Sequence, residues 1–313
     1  MTSKPADHDA DEVPPYRPRR APRDDFANIG GLRYHVNRWD SADGVPVVML
    51  HGWMDCGAAF QFLVDELPAS WHVIAPDWRG FGETDRCAAG YYFPDYLADL
   101  DRLLDVYFGD RPVNLIGHSM GGNVAGLYAG ARPERVRRLV SIEGFGMGRT
   151  SARQAPERYT DWLDSLREEP SARRFDDFQA LARHLMRKNP DTPADRAAYV
   201  ARCWGRAEVD GRVALRGDPA HKRPNPVLYR LDEAMACWER ITAPTLWVAG
   251  ARSPVLQRIS VDVDFHERTA RFARLEHATV EEAGHAVHFD QPRALAELVR
   301  RFIGEESGAM GTR

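Results

Sequence analysis

One serine in this chain stands where a side chain can act as a nucleophile. Ser119 is the centre of V-N-L-I-G-H-S-M-G-G-N-V-A-G, residues 113–126. An apolar run, Val113 to Ile116, enters a turn there, and small residues follow at helical spacing, at Gly122, Ala125, Gly126 and Ala129. The pattern G-x-S-x-G, formed with Gly117 and Gly121, reads as strand, sharp turn and helix. A Cβ on either flanking position would collide with the neighbouring strand and helix, and the turn itself strains the serine backbone. Such a turn lifts the hydroxyl clear of the sheet. The helix behind it aims N-terminal N–H groups at whatever Ser119 attacks, stabilising negative charge that develops there. A Gly-rich loop can match the pattern by chance, so the reading depends on a base, an acid and oxyanion donors elsewhere in the chain.

The donors come first. Val45 to Leu50 (V-P-V-V-M-L) is a continuous apolar run that reads as a central, buried strand. It ends in His51-Gly52-Trp53, a turn that lets backbone N–H groups face an open pocket. The N–H of Trp53 is expected to be one oxyanion donor and that of Met120, directly after the nucleophile, the other. A plain tight turn would carry the same three residues.

The remaining elements can be read in chain order. Residues 1–25 are rich in Pro, Arg and Asp and have almost nothing to bury, so they are expected to form a disordered leader. Its basic cluster, Arg17, Arg19, Arg20 and Arg23, reads as a solvated tail rather than a docking site. From Phe26, alternation predicts two antiparallel strands turned at Gly30 and Gly31. An amphipathic stretch from Phe60 to Leu67, a strand from Val73 to Ala75 and the Gly-bent loop Asp77-Trp78-Arg79-Gly80-Phe81-Gly82 follow. That loop reads as architectural. A helix from Pro94 to Tyr107 leads into the Ser119 strand.

Composition narrows the function classes. A 313-residue chain can bury a sizeable core, read here as one domain with an insertion. A net charge of -4 with both signs mixed throughout offers no electrostatic case for nucleic acid or an anionic membrane surface, so a small-molecule substrate fits best. The four cysteines, Cys56, Cys87, Cys203 and Cys237, are widely spaced without a C-x-x-C pair. They suit buried thiols in a reduced compartment better than a disulfide frame, and their spacing suggests no metal site. No apolar stretch is long enough to span a bilayer and the N-terminus lacks the apolar centre of a signal peptide, which makes a cytoplasmic location the expectation. The oligomeric state is unreadable.

The order of H-G-W, D-W-R-G-F-G and G-H-S-M-G-G resembles the α/β-hydrolase superfamily, from Phe26 to Ile303. The resemblance implies an α/β fold with a mostly parallel central sheet, helices on both faces and an inserted helical lid. Its boundaries would be 26–145 and 243–304 for the core, 146–242 for the lid and 305–313 for a flexible tail. Glu157 to Arg167, Phe175 to Lys188 and Ala194 to Trp204 read as lid helices, with apolar positions every three or four residues. The Pro-rich turn from His221 to Arg230 interrupts them. Its apolar residues could line a substrate pocket, whereas His221, Lys222 and Arg223 read as a solvated loop rather than contacts to an anionic substrate. Haloalkane dehalogenases and soluble epoxide hydrolases of the superfamily use Asp at the turn, so Ser119 points to the serine branch.

The resemblance also implies the base. In A-T-V-E-E-A-G-H-A-V-H-F-D-Q-P the family's histidine falls on His285, whose imidazole can take the Ser119 proton and return it. His288 matches a second histidine that usually packs. The acid departs from the common pattern, because the turn after Thr245 to Ala249 is Gly250-Ala251-Arg252-Ser253-Pro254 and Ser253 occupies the usual aspartate position. A hydroxyl cannot stabilise an imidazolium as a carboxylate does. Glu143, at the end of the strand Val136 to Ile142, is the first candidate for a relocated acid, since parallel strands end at one sheet edge. Asp262, Asp264 or no acid at all remain alternatives.

The expectation is therefore a serine hydrolase cleaving a small to medium carboxylic ester, thioester or lactone, with Ser119, His285 and Glu143 as the catalytic residues and no cofactor or metal. Two alternatives stay open: a non-catalytic ligand-binding protein on this fold, and carbon–carbon hydrolysis or cofactor-free peroxidase-type chemistry. Ser253→Asp is expected to do little.

Overall fold

The apolar runs become strands buried on both faces. In a computed structural model that describes residues 13–254 and 264–304, strands β1 (Arg23–Ile29), β2 (Leu32–Trp39), β3 (Val45–Leu50), β4 (Trp71–Pro76), β5 (Val113–His118) and β6 (Val136–Ile142) join two later ones in an eight-stranded sheet. With β10 (Thr245–Gly250) and β11 (Leu275–Val280) the spatial order is β1-β2-β4-β3-β5-β6-β10-β11. The pairings β1·β2 and β2·β4 are antiparallel and all others parallel. The β1–β2 turn falls at Gly30 and Gly31, with φ of 61° and 89°, the left-handed geometry of a two-residue hairpin.

Alternate residues of one strand feed opposite cores. Val48 and Leu50 pack with helices α2 (Phe93–Phe108) and α3 (Met120–Ala131). Val47 and Met49 pack on the other face with α1 (Gln61–Glu66) and the C-terminal helix, Pro292–Gly304. Burial on both faces is why these strands read as continuous apolar runs rather than alternating ones.

The segment between β6 and β10 holds α4 (Ala155–Ser165), α5 (Phe178–Lys188), α6 (Ala194–Trp204) and α7 (Leu231–Trp238). The first three fall close to the expected helices. Two features differ from expectation. A small antiparallel sheet, β7 (Arg174–Phe175), β9 (Val213–Leu215) and β8 (Gly205–Ala207) in that order, lies within the insertion. Helix α7 buries Leu231, Ala234, Met235 and Trp238 in the main core, so core packing resumes at Leu231 rather than at 243. Helices α8 (Asp264–Thr269), α9 (Val287–Asp290) and α10 (Pro292–Gly304) complete the chain.

The expected leader also needs correction. From Tyr16 onward it is docked, and β1 begins at Arg23. The Asp65 carboxylate accepts hydrogen bonds from the Tyr16 hydroxyl and from the N–H groups of Arg19 and Arg20, each at 3.0 Å. An aromatic residue and a buried acceptor give this Arg-rich segment the partners that its composition did not reveal. Residues 1–12 and 305–313 lie outside the described residues. No helix among the described residues is long and apolar enough to cross a membrane.

Candidate active site

The turn around Ser119 has the geometry that its glycines require. Ser119 sits at φ 51°, ψ −114°, donates its N–H to the Ile142 carbonyl at 2.8 Å and caps α3. A Cβ on Gly117 would stand 2.4 Å from the Gly121 carbonyl oxygen, and one on Gly121 would stand 2.0 Å from that of Leu50. Both clashes are with backbone, which cannot step aside.

His51, fully buried, fixes the turn after β3. Its Nδ1 donates to the Gly52 carbonyl at 2.7 Å and its Nε2 accepts from the Trp78 N–H at 2.8 Å. The Asp77–Gly82 loop is thereby architectural, as expected. Asp77 accepts from the Gly57 and Glu83 N–H groups, and Arg79 grips the Asp99 carboxylate at 2.6 and 2.8 Å. Trp53 follows, half exposed, and lines the same cleft as Met120. Met120 opens α3, so its N–H has no partner within the helix.

The sheet edge brings together three residues that are far apart in sequence. Glu143, 3% exposed, follows β6 with φ 58° and donates its N–H to the Val248 carbonyl. Its Oε1 accepts the Gly250 N–H at 2.7 Å. Its Oε2 accepts the Ser253 hydroxyl at 2.5 Å and the Nδ1–H of His285 at 3.0 Å. Ser253 thus stands at the position expected for an acid and donates to the carboxylate that stands there instead. Asp262 lies outside the described residues, and Asp264 opens α8.

His285 keeps about a third of its side chain exposed. Its carbonyl accepts from His118 Nε2 at 2.9 Å, which ties the His285 loop to the residue before Ser119. Burial, and then the neighbouring His288 and His285, hold His118 well below the usual histidine range. Asp290, its pKa raised by burial, accepts the Gly284 N–H at 2.9 Å and the Thr192 hydroxyl at 2.6 Å, and Arg196 donates to the Phe289 and Asp290 carbonyls. These braces from the insertion carry no local sequence signal. His288 is wholly buried, its ring 5.2 Å from that of Phe60.

Trp53 and Met120 line a cleft of about 730 Å³ open to solvent, with Tyr91, Phe93, Tyr96, Trp162 and Leu166 among its walls. His221 lines it too and is not a solvated loop residue. Its ring stacks between Phe81 and Tyr91 at 3.8 and 3.6 Å, and burial lowers its pKa to about 4. Arg223 lines the cleft and donates to the Glu168 carbonyl, whereas Lys222 is exposed.

Similarity to known proteins agrees with this architecture. A zebrafish (Danio rerio) serine hydrolase-like protein is 27% identical over 294 residues, covering 89% of this chain and 86% of that protein. A 2-(acetamidomethylene)succinate hydrolase from Mesorhizobium japonicum is 26% identical, covering 88% and 93%. Among solved structures, the thioesterase domain from the curacin biosynthetic pathway superposes with a TM-score of 0.79 at 24% identity, covering 89% of this chain and 99% of that one. Residues 45–292 match the family model described as the alpha/beta hydrolase fold, and the chain belongs to that family.

Proposed function

We propose that the protein is a serine hydrolase acting on a small to medium carboxylic ester, thioester or lactone. The observation that carries this reading is the 3.0 Å hydrogen bond between His285 Nδ1 and the buried Glu143 carboxylate. It gives the histidine the anionic partner that Ser253 could not supply and fixes the tautomer whose Nε2 is basic. Ser119 Oγ attacks the carbonyl carbon while His285 Nε2 takes its proton. The N–H groups of Trp53 and Met120 hold the oxyanion. Collapse expels the alcohol or thiol, which receives that proton from His285. Water, activated by His285, then hydrolyses the acyl-enzyme to the acid and free Ser119. The insertion acts as a lid, a role supported by Trp162 and Leu166, which α4 and the turn after it contribute to the cleft wall. A cytoplasmic location accompanies this reading.

Labelling with a fluorophosphonate, read by intact mass, tests it. One adduct on the wild type and none on Ser119→Ala is the expected result. A folded wild type that takes no adduct would overturn it in favour of a ligand-binding protein. The relative named as a 2-(acetamidomethylene)succinate hydrolase favours a second reading, in which the same serine cleaves a bond other than an ester. Product analysis separates the two.

A further inference from the structure

Beside His285 the core encloses a second polar group that the proposed reaction does not use. Asp55, His118 and His288 are 6%, 6% and 0% exposed, and one ligand-capable atom from each lies within 4.8 Å of the other two. His118 donates Nε2–H to the His285 carbonyl, so its neutral ring presents the Nδ1 lone pair, and that atom has no hydrogen-bond partner. Neither ring nitrogen of His288 has one either. Asp55 uses Oδ1 to accept from the Cys56 N–H at 2.8 Å and the Trp204 Nε1–H at 2.7 Å, which turns Oδ2 to 3.6 Å from His288 Nε2. His51, equally buried, has both ring nitrogens satisfied and is structural by contrast.

Buried polar atoms without partners are costly, and His118 Nδ1 and His288 Nε2, in one cluster with the Asp55 carboxylate, call for a common occupant. Two imidazole nitrogens and one carboxylate oxygen are the donor set of a borderline divalent transition ion. The surroundings match that use. Histidines that hold metals donate their second nitrogen to a carbonyl or carboxylate, as His118 does, and ligating carboxylates are themselves hydrogen-bonded, as Asp55 is. We propose that Asp55 Oδ2, His118 Nδ1 and His288 Nε2 form a site for one divalent transition ion of the zinc class, with a fourth position left to water. Zn–N bonds of about 2.0–2.1 Å set tetrahedral ligands about 3.4 Å apart, so one ligand-capable atom from each of the three residues needs to close by at most about 1.4 Å. None of the four cysteines takes part, which is why their spacing gave no hint of it. An ion held here reaches the His285 backbone through a single imidazole.

The test uses the full chain, stripped with a chelator, and reads the metal rather than turnover. Calorimetric titration should show one Zn²⁺ per chain, and Co²⁺ should give the intense visible bands of a four-coordinate ion. Asp55→Asn, which keeps the Oδ1 acceptor, should weaken Zn²⁺ at least tenfold, and His288→Asn should abolish saturable uptake. X-ray absorption at the zinc edge of the loaded wild type should find two imidazoles, a measurement that needs no variant to fold. Absence of saturable uptake, uptake unchanged in either folded variant, or fewer than two imidazoles at the metal would overturn the assignment. None of these outcomes depends on whether Ser119 proves to be a nucleophile.

Discussion

Ser253 and His285 donate to the same oxygen of Glu143, at 2.5 and 3.0 Å, although the common family pattern would have made residue 253 the acid. The hydroxyl is therefore part of what holds the Glu143 carboxylate. This reverses the sequence expectation for Ser253→Asp. A second carboxylate against a buried one cannot also ionise without a large cost, and two acids sharing a site push one pKa sharply upward. Ser253→Asp should lose most turnover at pH 7 and lower the melting temperature, whereas Ser253→Ala, losing one hydrogen bond to a charged group, should cost about 1.5–3 kcal/mol. Thermal melts and hydrolysis rates of the two variants check this; an active, stable Ser253→Asp would refute it.

Glu143→Gln should leave the fold intact, because the amide oxygen can still accept from Gly250 N–H. Its NH₂ group would instead face His285 and Ser253, favouring the wrong imidazole tautomer. Turnover should fall by roughly 10³–10⁴-fold with little change in KM. Full turnover in this variant would mean that the acid lies elsewhere.

Gly121→Ala tests the turn. The new methyl would meet the Leu50 carbonyl oxygen at 2.0 Å, so β3 or α3 must move. Overpacking on this scale costs about 1–3 kcal/mol or more, and with it should go reactivity towards fluorophosphonate. A folded Gly121→Ala protein that labels at the wild-type rate would show the turn to be looser than described.

His221 offers a pH-dependent stability. Its pKa in the folded chain is about 4, below the ordinary 6.5, so between these values the unfolded chain binds more protons. Folding stability from this residue is present above pH 6.5 and is lost as pH falls towards 4, by at most about 3 kcal/mol. Urea unfolding at pH 7, 6, 5 and 4 should show His221→Gln less sensitive to acid than the wild type. Equal sensitivity would assign the acid response to other groups.

What could be read from the sequence followed the physics of burial. Val45–Leu50, Val113–His118 and Val136–Ile142 announce themselves because a strand covered on both faces must be apolar at every position. The approach of Glu143 to His285 was legible because parallel neighbours end at one edge. The strands Arg174–Phe175 and Gly205–Ala207 were not, since two or three residues carry no period. Nor were the Thr192–Asp290 bond or the stacking of His221 between Phe81 and Tyr91, which join residues distant in sequence through side chains that would look equally at home in solvent.

Among the described residues, the non-glycine residues with positive φ are Met54, Ser119, Glu143 and Glu282. Two of them carry proposed chemistry, one follows Trp53 and one stands three residues before His285. Left-handed backbone costs a side-chain-bearing residue about 1–2 kcal/mol, which glycine avoids. The fold has thus given up thermal margin around the proposed reactive groups, and that tax has two kinds of payer. At Ser119 and Glu143 the left-handed backbone orients the side chains to which the proposed reaction assigns chemistry. Met54 packs its side chain against the main core, so glycine there would trade strain for lost contacts; exposed Glu282 is open to relief, and glycine there should make the protein hardier and leave its chemistry alone.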